Sequence, residues 1–205
     1  MNNQPYINAI TDISNIFVFE NIFEDWLENY GCNQLADQSF KYNTLAGPYD
    51  PDKKWFGCLL YDDNINFTSP TIPPFFDLVV EIFKTKLLPQ IDPHAIFLKV
   101  NRAIINGMLS STPGGIHQDD EIHAGAWASV YFVNDSDGDL IFFDGPNSTN
   151  EVFRVKYKKG TFIVFPGCYY HCALAPRNDF RITLGTTFTI ATYINYEVWG
   201  KGVSQ

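Results

Sequence analysis

The hydrophobic residues of this chain repeat with two different periods, and the change of period divides the sequence into two regions. In the first region, residues 19–30 and 75–88 carry apolar side chains three or four positions apart, which predicts two amphipathic helices. Gly31 is the expected end of the first helix, and Pro89 is the expected end of the second. Two shorter apolar runs are predicted strands: 38–42 and 55–61.

The second region changes to short β-branched and aromatic runs that are separated by turn residues. These runs predict strands at 95–105, 126–133, 140–143, 152–155, 161–165, 169–174 and 181–190. Strands of this length and spacing are typical of a sandwich or barrel, and a double-sheet jelly roll of the cupin type fits them. We therefore predict a mainly β (α+β) protein with one domain over 1–205. Residues 1–94 form its helical and strand support, and residues 95–190 form its jelly-roll core.

The charge and composition narrow the expected partners. The chain has 205 residues and a formal net charge of −9, and its largest basic cluster is the run 156–159. Such a charge repels a phosphate backbone, which argues against a nucleic-acid partner. No basic segment followed by an apolar one opens the chain, and no apolar run approaches the length that spans a membrane. We therefore expect a cytoplasmic protein without a membrane partner.

Two histidines and an aspartate are candidates for a metal site. His117 and Asp119 lie two residues apart, so on an extended backbone their side chains point the same way. His171, on a later predicted strand, is the natural third ligand. Two imidazoles and one carboxylate on one side of an ion suit iron(II) and leave positions open for substrates and oxygen. The alternative is that residues 117–121 form an exposed acidic turn.

Arg181 and Thr183 are polar residues in an otherwise apolar predicted strand. Alternate residues of a strand share a face, so a guanidinium and a hydroxyl lie side by side and can bind a carboxylate. A strand interior holds an arginine only where it meets an anion or a water-lined cavity. The alternative is an internal salt bridge of Arg181 with Asp179 or Glu151.

Several motifs occur in an order that resembles a known family. They are HQDD at 117–120, YFVND at 131–135, DGDLIFF at 137–143 and GTFIVFPG at 160–167, followed by His171, Arg181 and Thr183. On these motifs the chain resembles the iron(II)- and 2-oxoglutarate-dependent oxygenases, nearest their prolyl 4-hydroxylase-like branch. The resemblance implies a double-stranded β-helix. It also implies that His117, Asp119 and His171 bind iron, and that Arg181, assisted by Thr183, binds the distal carboxylate of 2-oxoglutarate.

The resemblance further implies hydroxylation of a substrate by O2, with release of succinate and CO2. The substrate would be a peptidyl residue such as proline, or a small metabolite. Members of the prolyl hydroxylase branch usually have an Arg-Tyr pair before HxD, whereas this chain has Arg102-Ala103, so Tyr131 or Asn101 is expected to contact the cosubstrate instead.

Some roles stay open at this point. His123 is a candidate for the substrate mouth, and the loop 106–115, with its three glycines, is a candidate lid. Two other functions compete with the hydroxylase. One is a jelly-roll module that binds a metal or ligand without catalysis. The other is a cupin enzyme that uses a metal but no 2-oxoglutarate, which would leave Arg181 unexplained.

Overall fold

The computed structural model describes residues 13–42, 55–110, 114–119, 126–177 and 180–191. The helical elements are a 3-10 turn Ile13–Asn15, α1 Asp25–Ala36, α2 Pro74–Ile82, a π-helical segment Phe83–Leu87 and α3 Leu88–Ile91. The strands are β1 Phe17–Phe19, β2 Lys41–Tyr42, β3 Trp55–Asp62, β4 Phe67–Thr68, β5 Ile96–Met108, β6 Ala126–Phe132, β7 Leu140–Phe143, β8 Glu151–Val155, β9 Phe162–Pro166, β10 Tyr170–Ala173 and β11 Arg181–Ala191.

The strands form two antiparallel sheets. The larger sheet has the order β1-β9-β6-β11-β5-β3-β2, with β4 paired to β3, and the smaller sheet has the order β10-β7-β8. Several neighbours are distant in sequence, because β11 lies between β6 and β5 and β1 pairs with β9. The predicted mainly β class and two-sheet jelly roll are confirmed.

The larger sheet buries both of its faces, and strand alternation separates the two cores. In β9, Phe162 and Val164 pack with the helices, whereas Ile163 and Phe165 pack between the sheets. The helical core also includes Trp127 and Phe188, together with the apolar faces of α1 and α2. The helices therefore cover one face of the sheet, and the other face is turned toward β7, β8 and β10.

The first helix begins later than its hydrophobic pattern predicted. Residues 17–19 pair with β9 as strand β1, and Asn21 takes a left-handed φ of 53°, so a helix cannot run through it. Helix α1 begins at Asp25 and continues past Gly31 to Ala36. Gly31 is therefore not the helix end that was predicted. It lies where α1 crosses the ring of Phe75, and a β-carbon there would be 2.3 Å from that ring.

The second helix also departs from its predicted bounds. It begins at Pro74, passes through the π-helical segment and continues to Ile91, beyond the expected end at Pro89. Pro89 lies just after the π-helical segment, where the N–H of Leu88 donates to the carbonyl of Phe83 and the hydrogen-bond pattern of the helix changes. Strand β5 runs to Met108, so residues 106–108 belong to the sheet and not to the loop that was predicted there. None of the described helices combines the length and apolarity needed to cross a membrane.

Replacing Gly31 with valine should destabilise the protein. The added side chain meets the buried Phe75 ring, and overpacking of this kind costs about 1–3 kcal/mol. Asn33→Val is a matched control, because Asn33 is exposed on the same helix. Urea unfolding of both variants and of the wild type measures the difference. Equal unfolding free energies for the two variants would contradict the described contact between α1 and α2.

Candidate metal and cosubstrate site

Backbone hydrogen bonds bring the candidate metal ligands together. The segment 114–119 runs antiparallel to β10, because the N–H of His117 donates to the carbonyl of His171 at 3.0 Å and the reverse bond is 2.9 Å. The N–H of Asp119 donates to the carbonyl of Gly167 at 3.0 Å. The HxD segment is therefore extended, as its spacing predicted, and it is not a free acidic turn.

The three side chains converge on one point. Ligand atoms of His117, Asp119 and His171 all lie within 4.8 Å of one another. The Nε2 atom of His117 is 3.8 Å from one carboxylate oxygen of Asp119, and the Nε2 atom of His171 is 3.4 Å from the other. A cluster of this size can hold one metal ion between its two nitrogens and its carboxylate.

The other ring nitrogen of each histidine is fixed by a backbone carbonyl. Nδ1 of His117 is 2.8 Å from the carbonyl of Gly115, and Nδ1 of His171 is 2.9 Å from the carbonyl of Tyr169. A carbonyl accepts, so each Nδ1 carries the hydrogen and each Nε2 keeps its lone pair. This arrangement leaves the Nε2 lone pair of each imidazole available to a metal ion.

The surroundings of His171 favour its neutral form. The side chain is buried, and burial lowers its pKa to about 4, although the Asp119 carboxylate acts in the opposite direction. A metal ligand must be unprotonated, so at neutral pH this imidazole is ready to bind an ion without first losing a proton.

The cluster of His117, Asp119 and His171 lies in the wall of a cavity of about 290 Å³ between the two sheets. Strands β5, β6 and β11 of the larger sheet and β7 and β10 of the smaller one contribute to its walls. Apolar side chains line much of its surface, including Ile104, Met108, Val130 and Leu140. Such a cavity is at the lower end of the size range of small-molecule sites.

Arg181 lies in the wall of this cavity and is only 3% exposed. Its Nε donates to the carbonyl of Gly138 at 2.9 Å, and its guanidinium carbon lies 5.0 Å from the ring centre of Tyr157 and 5.6 Å from that of Phe132. Burial lowers the pKa of the guanidinium. Its Nη2 is buried and has no hydrogen-bond partner among the described residues. A buried donor in this state is suited to an anionic ligand.

Of the two alternative salt bridges of Arg181, the one with Glu151 is not formed. Glu151 pairs with Arg154, whose Nη2 is 2.6 Å from a Glu151 carboxylate oxygen. Asp179 lies outside the described residues. Among the carboxylates that the structure describes, none is within salt-bridge distance of Arg181.

Thr183 and Asn106 form the next polar pair along the cavity. They are direct partners in the register of β11 and β5, and both line the cavity. The sequence prediction included Thr183 but missed Asn106, because it placed residue 106 in a loop. An amide next to a hydroxyl and a buried guanidinium adds a further hydrogen-bonding group for a carboxylate ligand.

Tyr131 and Asn101 do not reach this cavity. Tyr131 lies on the helical face of β6, with its ring centre 6.0 Å from that of Phe23, whereas the neighbouring Val130 lines the cavity. Asn101 accepts a hydrogen bond from the hydroxyl of Thr189 at 3.0 Å. We therefore leave both out of the proposed cosubstrate site. The other open candidate, His123, lies outside the described residues, as do residues 111–113 of the loop.

Comparisons with known proteins identify the fold. No family model matches this chain, and no curated protein sequence matches it. Solved structures do. A 2OG-Fe(II) oxygenase family oxidoreductase from Burkholderia pseudomallei superimposes with a TM-score of 0.64 at 13% identity, over 86% of this chain and 85% of the other.

Two further structures have similar scores. A Trichoplax adhaerens prolyl hydroxylase, in complex with a hypoxia inducible factor peptide fragment, gives 0.60 at 11% identity over 94% of this chain and 89% of that one. A non-heme alpha-ketoglutarate-dependent carbocyclase from nogalamycin biosynthesis gives 0.58 at 11% identity, over 85% and 79%. The chain has the double-stranded β-helix fold of these oxygenases, and the predicted resemblance is confirmed at the level of the fold.

Removing one of the three clustered side chains should abolish tight metal binding. We expect His171→Ala and Asp119→Ala each to weaken binding of iron(II), or of cobalt(II) as a spectroscopic substitute, by at least about 100-fold, since outer-shell changes alone cost 10- to 100-fold. His94→Ala is the control, because His94 is an exposed histidine near the start of β5. Anaerobic titration followed by absorbance gives the affinities. Wild-type affinity in His171→Ala would contradict the site.

The buried imidazole of His171 should also make the metal-free protein sensitive to acid. Its pKa is near 6.5 when unfolded and about 4 when folded, so the unfolded state binds the extra proton between these values. The free energy of unfolding should therefore fall as pH drops from about 6.5 to about 4, with a slope of up to about 1.4 kcal/mol per pH unit from this group. Urea unfolding over this range should show a smaller slope for His171→Gln. An identical slope would contradict the burial of a neutral imidazole.

Proposed function

We propose that this protein is an iron(II)- and 2-oxoglutarate-dependent dioxygenase that hydroxylates its substrate. The observation that carries the proposal is the combination of a His-Asp-His cluster and a buried arginine with an unpaired Nη2 in the walls of one cavity. Neither feature is specific alone, since acidic and histidine clusters occur without catalysis. Together they provide a site for an ion and a site for the carboxylate of a ligand that could reach it.

His117, Asp119 and His171 are the residues that would hold iron. The set fits the ion because two neutral nitrogens and one carboxylate oxygen leave the remaining positions for exogenous ligands. Bound iron(II) would supply the redox chemistry that couples decarboxylation of 2-oxoglutarate to oxidation of a C–H bond. In the overall reaction, one atom of O2 would enter succinate and the other would become the new hydroxyl. O2 would accept four electrons, two from 2-oxoglutarate and two from the C–H bond.

Arg181 is the residue that we propose to bind the distal carboxylate of 2-oxoglutarate. A carboxylate can accept a hydrogen bond from Nη2, which is buried and has no hydrogen-bond partner among the described residues. Leaving a buried donor unpaired costs free energy. The bond to the Gly138 carbonyl and the rings of Tyr157 and Phe132 hold the guanidinium in place before the ligand arrives. Such preorganisation reduces the entropy lost on binding.

Thr183 and Asn106 flank this position and would orient the ligand along the cavity. The hydroxyl and the amide each offer a donor, and the sheet fixes them opposite each other. Beyond them the wall becomes apolar at Ile104 and Val130. Apolar walls exclude water, which strengthens the charge interactions inside and limits side reactions.

The decisive test is release of succinate from 2-oxoglutarate by the purified protein with iron(II) and O2. We expect Asp119→Ala to abolish it and Arg181→Gln to raise the KM for 2-oxoglutarate by at least about tenfold, because a charge-assisted bond to a buried group is worth about 1.5–3 kcal/mol. Arg154→Gln removes the same charge from an arginine that pairs with Glu151 and should leave the KM unchanged.

A protein that binds the metal but never consumes 2-oxoglutarate would be a ligand-binding module without catalysis. If 2-oxoglutarate is consumed and Arg181→Gln has the wild-type KM, the dioxygenase assignment holds but the cosubstrate site lies elsewhere. A metal-dependent oxidation that is independent of 2-oxoglutarate would point to a cupin enzyme of another kind.

A further inference from the structure

A second arginine, Arg102 of β5, lines the same cavity as Arg181. The two are far apart along the sheet: Arg181 pairs with Met108, whereas Arg102 pairs with Thr187, six residues further along β11. We call each cross-strand pair a rung. At about 3.4 Å per residue, this spacing places the two rungs about 20 Å apart. The cavity therefore has a cation near each end of its long wall.

The segment 114–119, which carries His117 and Asp119, runs from one of these ends to the other, and hydrogen bonds fix its direction. At the Arg181 end, the N–H of Gly114 donates to the carbonyl of Ala173 at 2.9 Å. Gly114 also contacts Met108, whose Cε is 3.6 Å from the position of a β-carbon on that glycine, and Met108 is the strand partner of Arg181. The first residue of the 114–119 segment thus marks the Arg181 end of the cavity.

The other end of the segment leads toward the Arg102 end. Asp119 donates its N–H to the carbonyl of Gly167, and Gly167 donates to the carbonyl of Ala126 at 2.9 Å. Ala126 is the strand partner of Thr189, which lies two residues beyond the Thr187 rung. The segment that carries the metal ligands therefore spans the distance from the Arg181 rung to the Arg102 end.

Arg102 is held in place without being fully paired. Its Nε is 3.6 Å from a carboxylate oxygen of Asp62, and that Nε is buried without a hydrogen bond. The other oxygen of Asp62 accepts a hydrogen bond from the N–H of Asn64 at 3.0 Å, so the carboxylate is fixed by its own turn. Asp62 therefore orients the guanidinium through its charge, and the remaining N–H groups of Arg102 have no hydrogen-bond partner among the described residues.

The two arginines differ in solvent exposure. The side chain of Arg102 is 25% exposed, whereas Arg181 is almost completely buried. The Arg181 end is thus the closed end, suited to a cosubstrate that is covered in every cycle. The Arg102 end is more accessible, and the hydroxyl group of Thr187, the strand partner of Arg102, accompanies the guanidinium there.

Resting on the proposed function above, we propose that the substrate is a small free carboxylic acid whose carboxylate binds Arg102 and Thr187. A guanidinium beside a hydroxyl repeats, at the outer end, the chemistry of Arg181 and Thr183 at the inner end. The rungs of Thr183 and Thr187 are about 14 Å apart, so the two carboxylate positions are separate and both lie in one cavity. A cavity of about 290 Å³ suits one small acid beside the cosubstrate.

This anchoring would decide which carbon is oxidised. The substrate carboxylate would be fixed at one end of the cavity, and the metal ligands are fixed by the sheet. The substrate C–H bond nearest the ion would then be the one that lies at the matching distance from the carboxylate. A residue inside a peptide has no carboxylate of its own at that distance, so the proposal favours a free acid, such as an amino acid, over a peptidyl residue.

Binding of matched acid and amide probes tests this inference without turnover. The full chain is loaded with manganese(II), which replaces iron, and with saturating 2-oxoglutarate, so that the Arg181 end is filled. Isothermal titration with butyrate and butyramide, and with L-proline and L-prolinamide, should show that each acid binds at least about tenfold more tightly than its amide. Arg102→Gln should reduce that ratio to near one, and Arg102→Lys should restore part of it.

Lys99→Gln is the matched control, because it removes one positive charge from the same strand at a residue that pairs with Asp63 outside the cavity. It should keep the wild-type preference for acids. The proposal is overturned if neither acid is preferred over its amide, or if the preference survives in Arg102→Gln. Thermal unfolding of each variant shows that it is folded before the titration is read.

The two proposals fail in different ways. If 2-oxoglutarate neither binds nor is consumed, the proposed function is wrong, and the acid preference of Arg102 can still be measured. If 2-oxoglutarate is consumed but acids and amides bind and stimulate succinate release equally, the dioxygenase stands and the carboxylate site at Arg102 does not.

Discussion

The site depends on the hydrogen-bonded register of β11. This strand is paired along both edges, with β5 on one side and β6 on the other, so it cannot slide by one residue without breaking two ladders. Its alternate residues Arg181, Thr183, Gly185 and Thr187 all line the cavity. A shift of one position would turn these side chains toward the helices and bring Ile182 and Leu184 into the cavity. The double pairing of β11 is therefore what keeps a row of polar side chains inside the protein.

Burial then gives these side chains their chemical character. Arg181 and His171 are both almost inaccessible to water, and burial disfavours the charged form of each, but only the histidine becomes neutral. The histidine avoids this cost by staying neutral, as its lowered pKa shows. The arginine remains charged, since a guanidinium does not give up its proton at any ordinary pH. Among the described residues its partners are one backbone carbonyl and two aromatic rings. The neutral imidazole of His171 is complementary to a metal ion, and the incompletely paired guanidinium of Arg181 is complementary to an anion.

The sequence was informative where function depends on local spacing and weak where it depends on register. His117 and Asp119 converge because they are two apart on an extended segment, and Arg181 and Thr183 share a wall for the same reason, so a period of two was enough to find them. Tyr131 was predicted to contact the cosubstrate because of its residue type. Alternate residues of β6 face opposite sides of the sheet, however, and Tyr131 faces the helices. Asn106 was missed because the glycines after it suggested a loop, and only the pairing with Thr183 shows its place. The start of α1 was misjudged because the apolar residues of β1 continue the helical pattern.

The attachment of the segment 114–119 has a consequence for the protein as a whole. Two of the clustered side chains belong to this segment and the third to β10, so an ion held by all three would add a link to the short row of hydrogen bonds that joins the segment to β10. An ion in that position acts as a removable crosslink, and its binding free energy adds to the stability of the folded state. The availability of metal in the surrounding medium would then set how firmly the segment 114–119 is held against β10.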